Sequence, residues 1–129
     1  MTKSKQVFRS GPYSDLIAQG VKIGSTVYLS GQVGMDSAGN IPVSMAEQTA
    51  LAYSSIRILL AEFGATMDNI VDETFLVTNM EETHANLEAI FGARAEAYGR
   101  IPEVTQTLFG VAGLLFPELK IEIKCIAHL

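Results

Sequence analysis

Hydrophobic and polar positions alternate most cleanly near the end of the chain. From Leu119 onward, Leu119, Ile121, Ile123 and Cys125 fall on one side of a strand, and Lys120, Glu122 and Lys124 fall on the other. Strand side chains alternate with a period of two, so this run up to Ala127 is expected to be a strand with one apolar and one charged face. Val104 to Leu114 (VTQTLFGVAGL) reads as another strand, joined to it through the proline-bearing turn Leu115-Phe116-Pro117-Glu118. That partner carries no charge from Val104 to Phe116. A charged row beside so apolar a neighbour is either an edge in water or the wall of a site.

Earlier in the chain the pattern changes period. Val7 to Ser10 is a short strand candidate, Gly11-Pro12 a turn, and Asp15 to Val21 a short apolar run. Lys22-Ile23-Gly24 reads as a hairpin turn into a strand over Ser25 to Gly34. Asp36 to Asn40 is a surface turn. Ser44 followed by Glu47 is the reciprocal capping pattern of a helix start. Ala52, Tyr53, Ile56, Leu59, Leu60 and Phe63 then share one helical face, and Gly64 ends the helix. Ile70 to Thr78 is rich in β-branched and aromatic residues and predicts a strand. A second helix from Asn79 or Glu82 to Gly99 places Leu87, Ile90, Phe91, Arg94 and Tyr98 on a common side.

The order is strands, helix, strand, helix, two strands, within one domain over residues 1–129. Two helices cannot cover both faces of such a sheet, so both are expected on one face. The other face must meet water or a partner.

Composition sharpens this picture. Hydrophobic residues make up 48% and charged residues 18% of the 129 positions, as in a globular domain. The mean hydropathy of +0.26 is high for a small monomer and favours burial of apolar surface against another subunit. A net charge of −5, with no basic cluster denser than Lys3 and Lys5, argues against nucleic acid as partner. Cys125 is the single cysteine, which excludes a disulfide framework and a thiolate metal cluster. Residues 1–6 are mostly polar, and no signal peptide or membrane span is legible, so a soluble cytoplasmic protein without membrane association is expected.

Candidate chemistry is sparse. His84 and His128 have no metal-site spacing, GxSxG is absent, and LSGQVG lacks the strand-to-helix context of a phosphate loop. Cys125 lies on the apolar face and reads as a core residue. Glu122 is either an ordinary solvent-facing strand residue or a working carboxylate. Lys120 and Lys124, about 7 Å away on the same face, would keep it ionised, which suits positioning a water. Tyr13 can be a plain hydrophobic anchor, and Ser30 a hydroxyl bonded to backbone.

Taken together, GPYSDLIAQGVKIGSTVYLSGQVGMDSAGN and FPELKIEIKCIAHL, with GPY, SGQ and PELKIEI in that order, resemble the reactive intermediate deaminase (YjgF/RidA) family from about Arg9 to Ala127. The resemblance implies an α+β subunit with a six-stranded mixed sheet and two helices on one face. It further implies a homotrimeric barrel closed by the bare sheet faces, with small-molecule ligands bound in clefts between subunits. Deaminating members hydrolyse enamines and imines to carbonyl compounds and ammonia without cofactor or metal. The family's water-positioning glutamate matches Glu122, its tyrosine after Gly-Pro matches Tyr13, and its serine before Gly-Gln matches Ser30.

The arginine that clamps a substrate carboxylate in such members has no match here. Its place falls on Val104 counted from Pro102, or on Gln106 counted back from GVAGL, and Arg100 has the wrong spacing. The family's second-helix asparagine falls nearest Gly92. Losing charge-assisted bonds worth about 1.5–3 kcal/mol each would weaken carboxylate binding steeply. A divergent deaminase is therefore expected, with Glu122 holding water, Gln106 and Ser30 supplying hydrogen bonds, and Tyr13 packing on substrate. The alternative is a ligand-binding or regulatory trimer without turnover. The ribonuclease activity attributed to some members fits the acidic charge least.

Overall fold

The computed structural model describes residues 4–129. Seven strands, β1 (Lys5–Phe8), β2 (Gly20–Ile23), β3 (Thr26–Leu29), β4 (Gln32–Val33), β5 (Ile70–Val77), β6 (Thr105–Gly110) and β7 (Ile121–His128), form one mixed sheet. Its order is β1-β2-β3-β7-β5-β6, and β4 pairs with β7 beyond the end of β3. The β5–β6 pair is parallel and the others are antiparallel. Parallel neighbours need a crossover, and α2 (Met80–Ala85) with α3 (Leu87–Tyr98) supplies it; α1 (Met45–Ala61) lies between β4 and β5 in sequence.

Several expectations are corrected in detail. The second helix is two helices, because Asn86 leaves helical geometry at φ −114° and ψ 13° while its side chain donates to the Glu82 carbonyl at 2.8 Å. The strand expected over Ser25 to Gly34 is broken into β3 and β4, raising the strand count from six to seven. Strand β1 begins within the mostly polar start of the chain, at Lys5 rather than at Val7; residues 1–3 lie outside the described ones. The last two strands are not partners either. β5 lies between them, bonded to β6 on one side and β7 on the other.

The helix signals hold in part. Ser44 Oγ accepts from the Glu47 amide at 3.2 Å, without the return bond from the Glu47 side chain among the described residues, and Gly99 caps α3 at φ +75°. Tyr53, Ile56 and Leu60 of α1 and Ile90 and Tyr98 of α3 pack on Phe75 and Val77 of β5 and on Ile121, Ile123 and Cys125 of β7. Both long helices thus cover the same sheet face, and Cys125 is a core residue as expected.

That core encloses a carboxylate. Glu73 is fully buried and accepts from Tyr53 Oη at 2.8 Å, Tyr98 Oη at 2.7 Å, Arg94 Nε at 2.6 Å and Gln106 Nε2 at 2.6 Å. Burial and the adjacent carboxylate push both phenols well above their ordinary pKa, so they stay protonated donors. Burial works against the Arg94 charge, but its bond to Glu73 outweighs this and holds the guanidinium above its usual pKa.

The opposite face carries no helix among the described residues. Cross-strand pairing aligns Val7, Val21, Tyr28, Ile126, Asp72 and Thr105 in one row there, and Val33, Glu122, Leu76 and Phe109 in another. Tyr28 is 46% and Phe109 53% exposed, so large apolar side chains stand uncovered on that face. No helix of the described residues is long and apolar enough to cross a membrane.

Candidate active site at the break between β3 and β4

The site is built on an extra residue. Tyr28 pairs with Ile126 and Gln32 with Ile123, so four steps on one strand oppose three on the other. The surplus is absorbed at Ser30-Gly31, a bulge that breaks the strand and re-aims the residues after it. The loop between β1 and β2 is fastened to this bulge. The Ser30 amide donates to the Gln19 carbonyl at 2.9 Å, and Ser30 Oγ donates to the Ala18 carbonyl at 2.7 Å. Gln32 Nε2 donates to Gln19 Oε1 at 2.8 Å and to the Ser30 carbonyl at 3.0 Å. Within the loop, the amides of Leu16 and Ile17 both donate to the Tyr13 carbonyl at 2.9 Å, fixing the turn that presents Tyr13.

Between this loop, α1, the bulge and the segment before β7 lies a cavity of about 570 Å³. Tyr13, Ser30 and Glu122 all line it, so three of the four residues expected from sequence are brought together. The Glu122 carboxylate is half-buried, and among the described residues no hydrogen-bond donor reaches it. Burial raises its pKa, with Lys124 only partly opposing the rise.

The expectation that two flanking lysines dominate the electrostatics of Glu122 is therefore corrected. Lys120 lies before β7 begins and its Nζ pairs with Glu82 Oε2 at 3.0 Å, while Lys124 Nζ donates to the Leu29 carbonyl at 3.2 Å. Desolvation outweighs the field of Lys124. A carboxylate of raised pKa is a better base toward a bound water than an ordinary one.

Gln106 is not brought to the cavity. It pairs with Glu73 across β5–β6, on the helix-covered face, and its amide is spent on the Glu73 carboxylate. Val104 packs against the same core. Neither candidate for the arginine position shares a face with Glu122; the β6 residues that do are Thr105, Thr107 and Phe109. Arg100 pairs instead with Asp68 at 2.9 Å in an exposed salt bridge.

The structure adds residues that were not among the expected ones. A methyl group at Gly31 would occupy the place of Glu122 Oε2, so only glycine leaves room for that carboxylate. Ile58 of α1, with Leu115 and Phe116 of the segment before β7, supplies an apolar wall. The isolated SGQ triplet held a signal for the first, since glycine inside a strand pattern marks a bulge or a close approach. Nothing local marks the second, because these residues meet only through tertiary packing. No group of three or more His, Cys, Asp or Glu among the described residues is placed to hold a metal ion.

Comparison with known proteins identifies the family and matches the fold. Residues 5–129 match the family described as Endoribonuclease L-PSP. The RutC family protein YjgH of Escherichia coli is 30% identical over 134 residues, covering 100% of this chain and 98% of that protein. A 2-iminobutanoate/2-iminopropanoate deaminase of Bos taurus is 35% identical over 74 residues, 56% of this chain and 51% of the bovine one. Among solved structures, Rv2704 of Mycobacterium tuberculosis, a member of the YjgF/YER057c/UK114 family, superposes with a TM-score of 0.82 at 26% identity, covering 98% of this chain and 100% of that one.

Proposed function

This chain belongs to the Endoribonuclease L-PSP family, the YjgF/RidA family, and we propose that it hydrolyses imines, and the enamines in equilibrium with them, to carbonyl compounds and ammonia. The observation that carries this reading is the Glu122 carboxylate, half-buried in a cavity of about 570 Å³, free of protein donors among the described residues, and raised in pKa by burial.

The chemistry asks little of the protein. A water held by Glu122 attacks the carbon of the protonated imine, a C–O bond forms, and the π pair moves to nitrogen while Glu122 takes the water's proton. Returned to nitrogen, that proton turns the amine into a leaving group. The C–N bond breaks, ammonia departs, and the hydroxyl proton is lost as the carbonyl forms. Holding water and carbon in register and timing one proton supplies the acceleration. Tyr13 packs on the substrate, and the Ser30 hydroxyl, which donates to Ala18, presents its lone pairs to the cavity.

In this reading the working form is an assembly. Three copies bury the uncovered sheet face carrying Val7, Tyr28 and Phe109, and the cavity becomes a cleft between neighbours. A ribonuclease, the activity in the family's name, fits poorly with a net charge of −5. The rival reading is a binding protein without turnover. It draws on the match to named deaminases, which spans only 56% of this chain in the bovine case.

The test is ammonia release from imines generated in place, followed against buffer and heat-denatured protein. Acceleration supports the hydrolase. Ligands that raise the melting temperature with no product formed would replace it with the binding protein.

A further inference from the structure

Resting on that reading of the site, we propose that the cavity selects an imine or iminium carrying an apolar substituent and no carboxylate. The substrate class is that of simple hydrophobic amines rather than α-amino acids.

Charge points this way first. Among the described residues, Glu122 is the only acidic side chain lining the cavity, and no lysine, arginine or histidine lines it. Two neighbouring cations bond to backbone carbonyls. Lys124 Nζ donates to the Leu29 carbonyl at 3.2 Å, and the Arg9 guanidinium, next to the lining residue Ser10, donates to the Ser14 carbonyl at 3.0 Å. An anionic substrate would meet the Glu122 carboxylate with no cation of this subunit lining the cavity, whereas an iminium places its positive N–H beside Glu122.

Beside the uncharged polar side chains of Ser10, Gln19, Ser30, Gln32 and Ser55, the wall carries a large apolar share. Ile58 and Leu115 are 66% and 69% exposed at the cavity, with Ile17 and Phe116 beside them. Large aliphatic side chains left that open, beside a half-buried acid, form the lining expected for an apolar ligand with one polar end. A substrate with a phenyl or branched alkyl group would cover them as its nitrogen meets Glu122.

The test uses three ligands of one shape: 3-phenylpropylamine, 3-phenylpropanol and 3-phenylpropanoate, titrated calorimetrically at pH 7.5. The expected order is amine tightest and carboxylate weakest, with tenfold or more between them. Glu122→Gln should collapse that gap. Equal or tighter binding of the carboxylate overturns the proposal, as does an unchanged gap in Glu122→Gln; the wild-type series decides alone should that variant not fold.

A parallel assay separates this inference from the one beneath it. The imine of phenylacetaldehyde is compared with 2-imino-3-phenylpropanoate. Preference for the former supports the proposal, and preference for the imino acid overturns it while leaving the hydrolase intact. Hydrolysis of neither, with the binding order as expected, leaves the ligand class supported and removes the hydrolase.

Discussion

Gly31 and Glu122 occupy one volume between them: the space a side chain would take at Gly31 holds Glu122 Oε2. The bulge that brings the backbone so close also fastens the loop bearing Tyr13 through Gln19 and Gln32. The neighbour displaced by a larger residue would be the far end of a flexible side chain, not backbone. Gly31→Ala should therefore spare the fold and misplace the carboxylate, lowering kcat for imine hydrolysis by about tenfold to 100-fold with little change in melting temperature. Full activity in a folded Gly31→Ala protein would show that the carboxylate's position does not matter.

Glu122 links activity and stability to pH in opposite directions. Its folded pKa lies above the ordinary 4.5, so the native state prefers the protonated form. The stability this group contributes is present below its unfolded pKa and is lost as pH rises through the folded value. Glu122→Gln should then melt no lower than wild type at pH 7.5, and relatively higher than at pH 4. Activity needs the ionised form, so the acid limb of the pH–rate profile should rise through a pKa above 4.5 and vanish in the variant.

Glu73 should behave in the contrary way. Removing it strands the largely buried Arg94 charge and deprives Tyr53, Tyr98 and Gln106 of their acceptor. Glu73→Ala is expected to cost about 3–5 kcal/mol in urea unfolding at fixed protein concentration. Lys120→Ala, which breaks a partly exposed pair with Glu82, should cost about 1 kcal/mol or less. Equal costs would mean that the buried network is not what secures β6.

The uncovered sheet face predicts an assembly. Sedimentation equilibrium should give three times the 13.9 kDa subunit, and Tyr28→Lys with Phe109→Lys should reduce it to single copies. A wild-type protein sedimenting as one subunit would contradict the cleft.

Much of this architecture is legible in the residues. The period-two run before Ala127 and the 3.6-period face from Ala52 to Phe63 fix which sides are buried, and both hold. Strand neighbours are another matter, because nothing in VTQTLFG says that β5 inserts between it and β7. Counting along the chain likewise leaves Val104 and Gln106 as equals, whereas pairing with Glu73 sends Gln106 to the helix side. Glu73 itself carries a signal in its alternation with Phe75 and Val77, an acid on an apolar face, and that signal means little until its four donors converge. The bulge hides in a ten-residue strand candidate whose only internal mark is a glycine. Lys120 has the spacing of a companion to Glu122, yet β7 begins one residue later and leaves it free to pair with Glu82.

The most direct measurement is the rate of ammonia release by wild type and Glu122→Gln, side by side, on the imine of phenylacetaldehyde, with both proteins shown to be folded. If Glu122 activates the attacking water, the variant loses about 100-fold or more. Equal rates would contradict that role.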